Sequence, residues 1–423
     1  MKIDLLFARY PRRKQRGMRS LSRFNRRSNG GAMTLFKKSE YLERLGKTKT
    51  RMADAGIEVL VTSDPANMNY LTGYDGWSFY VPQCVVVSLD ADTPLWIGRR
   101  MDVAGARHTT FLPSTDIVGY PENYIQTLQR HPMNFVGDVI AERGWGAKTV
   151  GVEMDAYYFT ARAYAELQKS LPDGRFANAD LLVNWIRLVK SDAEISIMRE
   201  AGQIANRVMT TAIDQLEPGV RECDAVAAVY QAQMSGTPEF GGDYPAIVPM
   251  MPTGEKTSAP HLTWTDSPYE NEQMVNLELA ACRHRYHCPI ARTAYLGKNP
   301  PAKLVELAEH TVEGLNLTLA AIKPGMRAEA VELVWRKHIA KVGLEKESRI
   351  GYAMGLNYPP DWGEHTASLR PGDQTILEPN MTFHMILGMW MDDYGFECSE
   401  SFRVSEDGCE TFSDVPRKLF VKG

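Results

Sequence analysis

Two stretches of the chain, LEPGVRECDAVAAV (216–229) and IKPGMRAEAVELVW (322–335), repeat an apolar-x-Pro-Gly-apolar-Arg pattern with starts 106 residues apart. Each follows a long helical stretch and precedes another. Proline cannot continue a helix, and glycine takes the left-handed conformation that closes one, so each copy reads as helix, sharp stop, helix. The spacing is far beyond the roughly 20–50 residues of a solenoid repeat. It suits a domain made of two pseudo-equivalent halves.

The start of that domain is marked by SDAEISIMREAGQIANRVMTTAIDQL. Ser191 and Glu194 have the spacing of a capping box, and Met198, Ala201, Ala205, Val208 and Ala212 follow helical spacing. Upstream, Tyr41, Leu42, Leu45 and Met52 predict an amphipathic helix over 39–56. Short apolar runs at 57–63, 83–89, 94–98 and 149–154, with a helical stretch at 161–171, predict an α/β domain. The chain therefore divides into a basic extension (1–32), an α/β domain (33–185) and a second domain (186–423).

With 423 residues, 44% hydrophobic and 24% charged, the chain suits two or three globular domains. No run of about 18 apolar residues predicts a membrane span. Residues 1–32 hold ten Lys/Arg and one acid, leaving 38 basic against 51 acidic side chains in the remainder. An acidic body argues against nucleic acid as a partner. The extension reads either as a transit peptide or nucleic-acid arm, or as sequence upstream of a start at Met33 (MTLFKKSEYLERL), and is kept out of the fold reading. Six cysteines without a CxxC pair suit a reduced, cytoplasmic compartment.

MVNLELAACRHRYHCPIARTAYLG (274–297) reads as two adjacent strands around a polar turn. Here the second domain resembles the pita-bread fold of the creatinase, prolidase and methionine-aminopeptidase superfamily. KSDAEISIMREAG, GTPEFGGDYPAIVPM, SAPH, EPNMTFHM and SESFRVSEDGCE stand at that family's recurring motifs. The resemblance implies an α/β N-terminal creatinase-like domain followed by an α+β pita-bread catalytic domain with an internal pseudo-twofold repeat. It also implies a homodimer in which the first domain reaches the partner subunit's site.

Metal-dependent relatives hold two ions with two Asp, one His and two Glu. The matching positions here read Glu278, Pro289, Tyr352, Ile386 and Glu400, with His384 close to Ile386. Proline and isoleucine side chains offer no donor, a neutral phenol substitutes poorly for imidazole, and two carboxylates are too few for a two-metal clamp. The expectation is an enzyme without metal or other cofactor. Carboxylates left without their dications need a cation, and a planar amidinium or guanidinium matches a carboxylate's two oxygens.

By the same resemblance, His261 (SAPHLTW) is a proton-transfer residue outside the metal positions. Glu278 can pin the amidinium, act as general base on water, or attack the amidine carbon. Tyr352 and His384 are expected to line the pocket, and His284 and His287 to lie at the surface or behind it. Arg292 either meets a substrate carboxylate or pairs with nearby Glu side chains. GYDGWSFY (73–80) offers Trp77, Phe79 and Tyr80 as a core or interface cluster, or as an aromatic wall against a cation.

NLELAACRHRYHCPIARTAYLG, GYAMGLNYPPDWGEHTASLRPGD and EPNMTFHMILGMW together resemble the ectoine hydrolases, a bacterial branch of the creatinase-like group. This implies a small zwitterionic substrate, the cyclic amidine ectoine. Water would open its ring to N-acetyl-2,4-diaminobutyrate, which a separate deacetylase then processes. The alternatives are a creatinase-like amidinohydrolase, an Xaa-Pro peptidase with a metal, and a non-catalytic binder of a zwitterion.

Overall fold

The computed structural model describes residues 34–423; the basic extension, 1–32, lies outside the described residues. Helix α1 (Lys38–Asp54) leads into a six-stranded sheet of β1 (Val59–Thr62), β2 (Cys84–Ser88), β3 (Leu95–Arg99), β4 (Ile117–Tyr120), β5 (Thr149–Val152) and β6 (Arg175–Asn178). Helices α2 (Pro65–Thr72), α3 (Val103–Thr109), α4 (Pro132–Glu142) and α5 (Ala161–Ser170) connect them. The strand order is β4-β3-β2-β1-β5-β6. Side chains alternate along a strand, so Val59, Val61, Val86 and Ile97 pack under α4 and α5, while Leu60, Val85, Val87 and Trp96 join the core shared with α1 and the second domain.

The short α6 (Asn184–Arg187) precedes α7 (Asp192–Gln215) and α8 (Glu222–Ser235). The Ser191–Glu194 capping box expected from the sequence starts α7. Strands β7 (Gln273–Arg283) and β8 (Tyr286–Leu296) form the long hairpin. The second half runs through α9 (Ala302–Ala321), α10 (Ala328–Ile339), β9 (Gly351–Met354), β10 (Gly363–Leu369), β11 (Thr382–Trp390), β12 (Gly395–Val404), β13 (Cys409–Thr411) and β14 (Phe420–Lys422). Its five-stranded sheet has the order β10-β9-β11-β12-β13, and β14 joins β8 and β7 in a three-stranded sheet.

The repeat in the sequence is a repeat in space. Gly219 and Gly325 take φ of 91° and 86°, the left-handed turn that ends α7 and α9. The Gly219 N–H donates to the Tyr269 carbonyl, and the Gly325 N–H to that of Leu377. Arg221 then bridges to Pro268, and Arg327 to Ile376. Each half thus anchors its helix turn to an incoming strand in the same way.

Buried polar contacts fix the first domain on the second. Arg187 donates to Asn67 Oδ1 at 2.7 Å and to the Leu356 carbonyl, and Asn67 Nδ2 donates to both Glu153 and Asn184. Lys190 Nζ meets Glu364 at 2.8 Å, both side chains buried. A removed partner in such a network leaves a buried charge, which is why it holds one relative placement of the domains.

A Cβ at Gly219 or Gly325 would meet nothing within 4 Å, so only the positive φ opposes alanine. Gly219→Ala and Gly325→Ala should each cost about 1–2 kcal/mol, by similar amounts, read as matched falls in urea midpoint. A large cost at one position and none at the other would contradict the equivalence.

Candidate active site

Strand alternation builds the site. On β7, Val275, Leu277, Leu279 and Ala281 belong to the core beneath α7, so Asn276, Glu278 and Ala280 turn to the opposite face. Glu278 pairs with Ala291 on β8, and Ala280 with Pro289. On β11 and β12, Phe383, Met385, Leu387, Cys398 and Phe402 fill the core beneath α9. His384, Ile386, Glu397, Ser399 and Ser401 therefore occupy the other face, where Ile386 lies opposite Ser399. The two inner faces meet where the Ala291 N–H donates to Ser399 Oγ at 2.6 Å.

Two carboxylates share this space. Glu278 is buried, and burial first, then the charges of Glu397 and Asp361, hold its pKa well above the usual carboxylate range. Burial pushes Glu397 up to about 7, with Lys346 pulling the other way. Glu397 Oε2 has no hydrogen-bond partner among the described residues. Like charges in a low-dielectric space cannot both ionise freely, so the pair holds protons that isolated glutamates would lose.

Beside the pair runs a chain of neutral groups. Trp362 Nε1–H donates to the Tyr352 hydroxyl at 2.7 Å, Tyr352 lies 2.9 Å from His384 Nδ1, and His384 Nε2 lies 2.8 Å from Ser399 Oγ. Burial, with the charge of Arg349 adding to it, pulls His384 down to about 3, so the imidazole is neutral. Burial and Glu278 hold the Tyr352 phenol far up its range. Trp362 and Ala291 are obligate donors at the two ends. A neutral imidazole between the hydroxyls carries one ring proton, so its two tautomers place the free hydroxyl hydrogen on Ser399 or on Tyr352.

This donor set does not fit a pair of divalent ions. Pro289 and Ile386 contribute none, Tyr352 is a neutral phenol, and Ser399 is engaged by two donors or a donor and an imidazole. Among the described residues one group of three, His310, Glu313 and His338, brings donors within reach of a single ion. It lies between α9 and α10, not on this face.

The structure redistributes several residues named from the sequence. Glu400 does not stand beside Glu278. It follows Ser399 on β12 and so turns to the opposite face, where it pairs with Arg292 at 2.6 Å and Arg417 at 3.0 Å. Arg292 has no donor left for a substrate. Its five N–H groups go to Glu400 and to the carbonyls of Ala291, Ser399, Val415 and Pro416. His261 is exposed and has no hydrogen-bond partner among the described residues, although its neighbour Pro260 lines the cavity described below. Tyr352 and His384 do lie on the inner face. His287 is fully buried and neutral, its Nε2 accepting from the Ala246 N–H, and burial pulls its pKa down to about 3; it braces a loop and is not at the surface.

The aromatic segment spans the domain junction. Phe79 is buried against Tyr158 and Tyr358, and Trp77 packs on Tyr244. Trp77 and Tyr80 are 58% and 66% exposed; neither touches Glu278. Glu397, Ser399, Lys346 and Arg349 were not singled out in the sequence. Register would have found the first two, since Ile386 faces Ser399 and not Glu400.

Fold and site together define a two-domain pita-bread hydrolase. Residues 44–189 match the creatinase/prolidase N-terminal domain and residues 196–407 match metallopeptidase family M24. The chain belongs to family M24, and it is a hydrolase acting on C–N bonds. It is 47% identical over 394 residues to the ectoine hydrolase of Halomonas elongata, covering 92% of this chain and 98% of that protein. It is 46% identical over 387 residues to an uncharacterized hydrolase/peptidase of Sinorhizobium fredii, with the same coverage. A prolidase from Thermococcus sibiricus superposes with a TM-score of 0.78 at 16% identity, over 90% of this chain and 99% of its own. A likeness at that identity shows the fold alone. Among the described residues no helix is long and apolar enough to cross a membrane.

Arg292→Met leaves Glu400 with Arg417 as its one cation and takes a donor from four carbonyls. It should cost about 3–5 kcal/mol of stability, seen as a fall in the denaturant midpoint. Wild-type stability with a raised KM would return Arg292 to substrate binding.

Proposed function

We propose that this chain opens the ring of ectoine by hydrolysis, giving N-acetyl-2,4-diaminobutyrate, and that it does so without a metal ion. The observation that carries this reading is the buried Glu278–Glu397 pair, which has no cation on its own face strong enough to neutralise both and no donor set for a dication. An amidinium supplies the missing positive charge, with N–H groups arranged for a carboxylate. The 47% identity to the ectoine hydrolase of Halomonas elongata supports that substrate over other amidines.

In the proposed reaction Glu278 meets the amidine carbon, either as base to a water molecule or as nucleophile followed by water. Both routes balance alike. A water oxygen ends bonded to the carbon, one ring C–N bond breaks, and the freed nitrogen gains a proton. Glu397, raised to about 7, is placed to hold or return that proton. The Tyr352–His384–Ser399 chain presents a hydroxyl hydrogen to the developing charge on whichever side the tautomer selects. His261, on the rim, is assigned proton exchange with solvent.

The enzyme is further proposed to act in the cytoplasm, in keeping with six free cysteines, as a homodimer whose contacts include the exposed Trp77 and Tyr80. Its acetylated product calls for a deacetylase downstream.

NMR of ectoine incubated with chelator-treated enzyme should show ring opening to the acetylated diaminobutyrate. Glu278→Gln should lower the rate by about 10³-fold or more while remaining folded, the scale on which loss of a nucleophile or base acts. Turnover that appears only after zinc or manganese is added would overturn the metal-free reading, and near-normal rates in the variant would overturn the role of Glu278.

A further inference from the structure

Beside the strand pair that carries Glu397, a cavity is lined by three cations, Lys346, Arg349 and Arg370. Arg349 lies with its guanidinium 4.5 Å from the centre of the Tyr352 ring, the same tyrosine that begins the neutral chain on the inner face. Its Nη1 donates to Ser368 Oγ at 3.2 Å, and no carboxylate lies within 4 Å of it among the described residues. Lys346 Nζ donates to the Gly388 carbonyl at 2.8 Å and sits 4.4 Å from the Trp390 ring. Gly388 is paired across β11 and β12 with Glu397, so Lys346 stands over the strand pair that carries the second carboxylate. Arg349, Lys346 and Arg370 line one open cavity of about 860 Å³ with Trp390 and Pro260. Glu345 and Glu347 border the same cavity, yet neither forms an ion pair with these cations.

The carboxylates Glu278 and Glu397 thus stand on the inner face, and cations without a carboxylate partner stand beside it, Arg349 over the Tyr352 ring and Lys346 at the Gly388 carbonyl. A simple cation would be served by the carboxylates alone. We propose that Arg349, with Lys346 beside it, forms a carboxylate-binding subsite that makes the enzyme select zwitterionic cyclic amidines over amidines lacking a carboxylate. The proposal rests on the reading of Glu278 and Glu397 as the amidinium site. It replaces Arg292, whose donors are all taken, with an arginine whose fork is mostly free. A guanidinium stacked on a tyrosine keeps its edge N–H groups in the plane that a carboxylate's two oxygens require.

The test compares ectoine with the same ring lacking its carboxylate. Wild-type enzyme should favour ectoine in kcat/KM by roughly 10- to 100-fold, the range of one charge-assisted hydrogen-bonded pair. Arg349→Gln should bring that ratio close to one, and Arg349→Lys should retain part of it. A general structural lesion would lower both rates and leave the ratio standing. A wild-type ratio near one, or a ratio unchanged in Arg349→Gln, overturns the subsite while ectoine hydrolysis itself stands.

If neither ring is opened, the functional reading fails, and the subsite is decided by binding alone. Pipecolate, a six-membered ring with a cation and a carboxylate, is titrated calorimetrically against piperidine, which lacks the carboxylate. Tighter binding of pipecolate by tenfold or more, lost in Arg349→Gln, supports the subsite. Equal binding, or none, overturns it.

Discussion

Two carboxylates, Glu278 and Glu397, share a buried face without a resident cation that satisfies both, and much of the surrounding structure is arranged around that fact. Burial raises the cost of ionising either, and the Glu397 charge raises it further for Glu278. The folded state therefore binds more protons than the unfolded chain between the ordinary glutamate pKa and about 7. By linkage this contribution to stability is fully present below the unfolded value and is lost as pH rises through the folded one. In the proposed function a bound amidinium offsets the loss, so the feature that weakens the empty protein at neutral pH would be the one that recognises the ligand.

Such a face is tolerable only on a rigid support. Arg292 and Glu400, one layer behind, tie β8 and β12 to the chain at Val415 and Pro416 with every guanidinium donor engaged. The network of Asn67, Glu153, Arg187, Lys190 and Glu364 sets the first domain against the second. The His384 imidazole, held neutral between Tyr352 and Ser399, adds a polar surface without adding a charge. Charged groups do the locking behind the site, and the neutral Tyr352–His384–Ser399 chain flanks the carboxylate pair.

The sequence made the fold legible through local physics. The Pro-Gly repeats, the Ser191 cap and the short apolar runs that become β1 and β2 each reflect a local backbone or burial requirement, and each lies where expected. Glu278 was visible because it interrupts an apolar strand. Glu400 misled because adjacent residues on a strand face opposite ways, and a motif matched one residue off selects the wrong face. Of the two readings of Arg292, the structure shows the pairing with a Glu side chain, Glu400; its other partners are four backbone carbonyls, which leave no mark in a sequence. Arg349 and Lys346 precede β9 in a polar stretch, and only their tertiary packing on Tyr352 and Gly388 suggests the role proposed for them.

The central claim is that the Glu278–Glu397 pair holds a proton until a cation arrives. Calorimetric titration with acetamidinium at pH 7, repeated in buffers of different ionisation enthalpy, reads this directly. The account predicts that binding releases close to one proton per site into the buffer and tightens as pH rises from about 6 to 8. An amidinium that binds with no proton released, and with an affinity flat across that range, would contradict it.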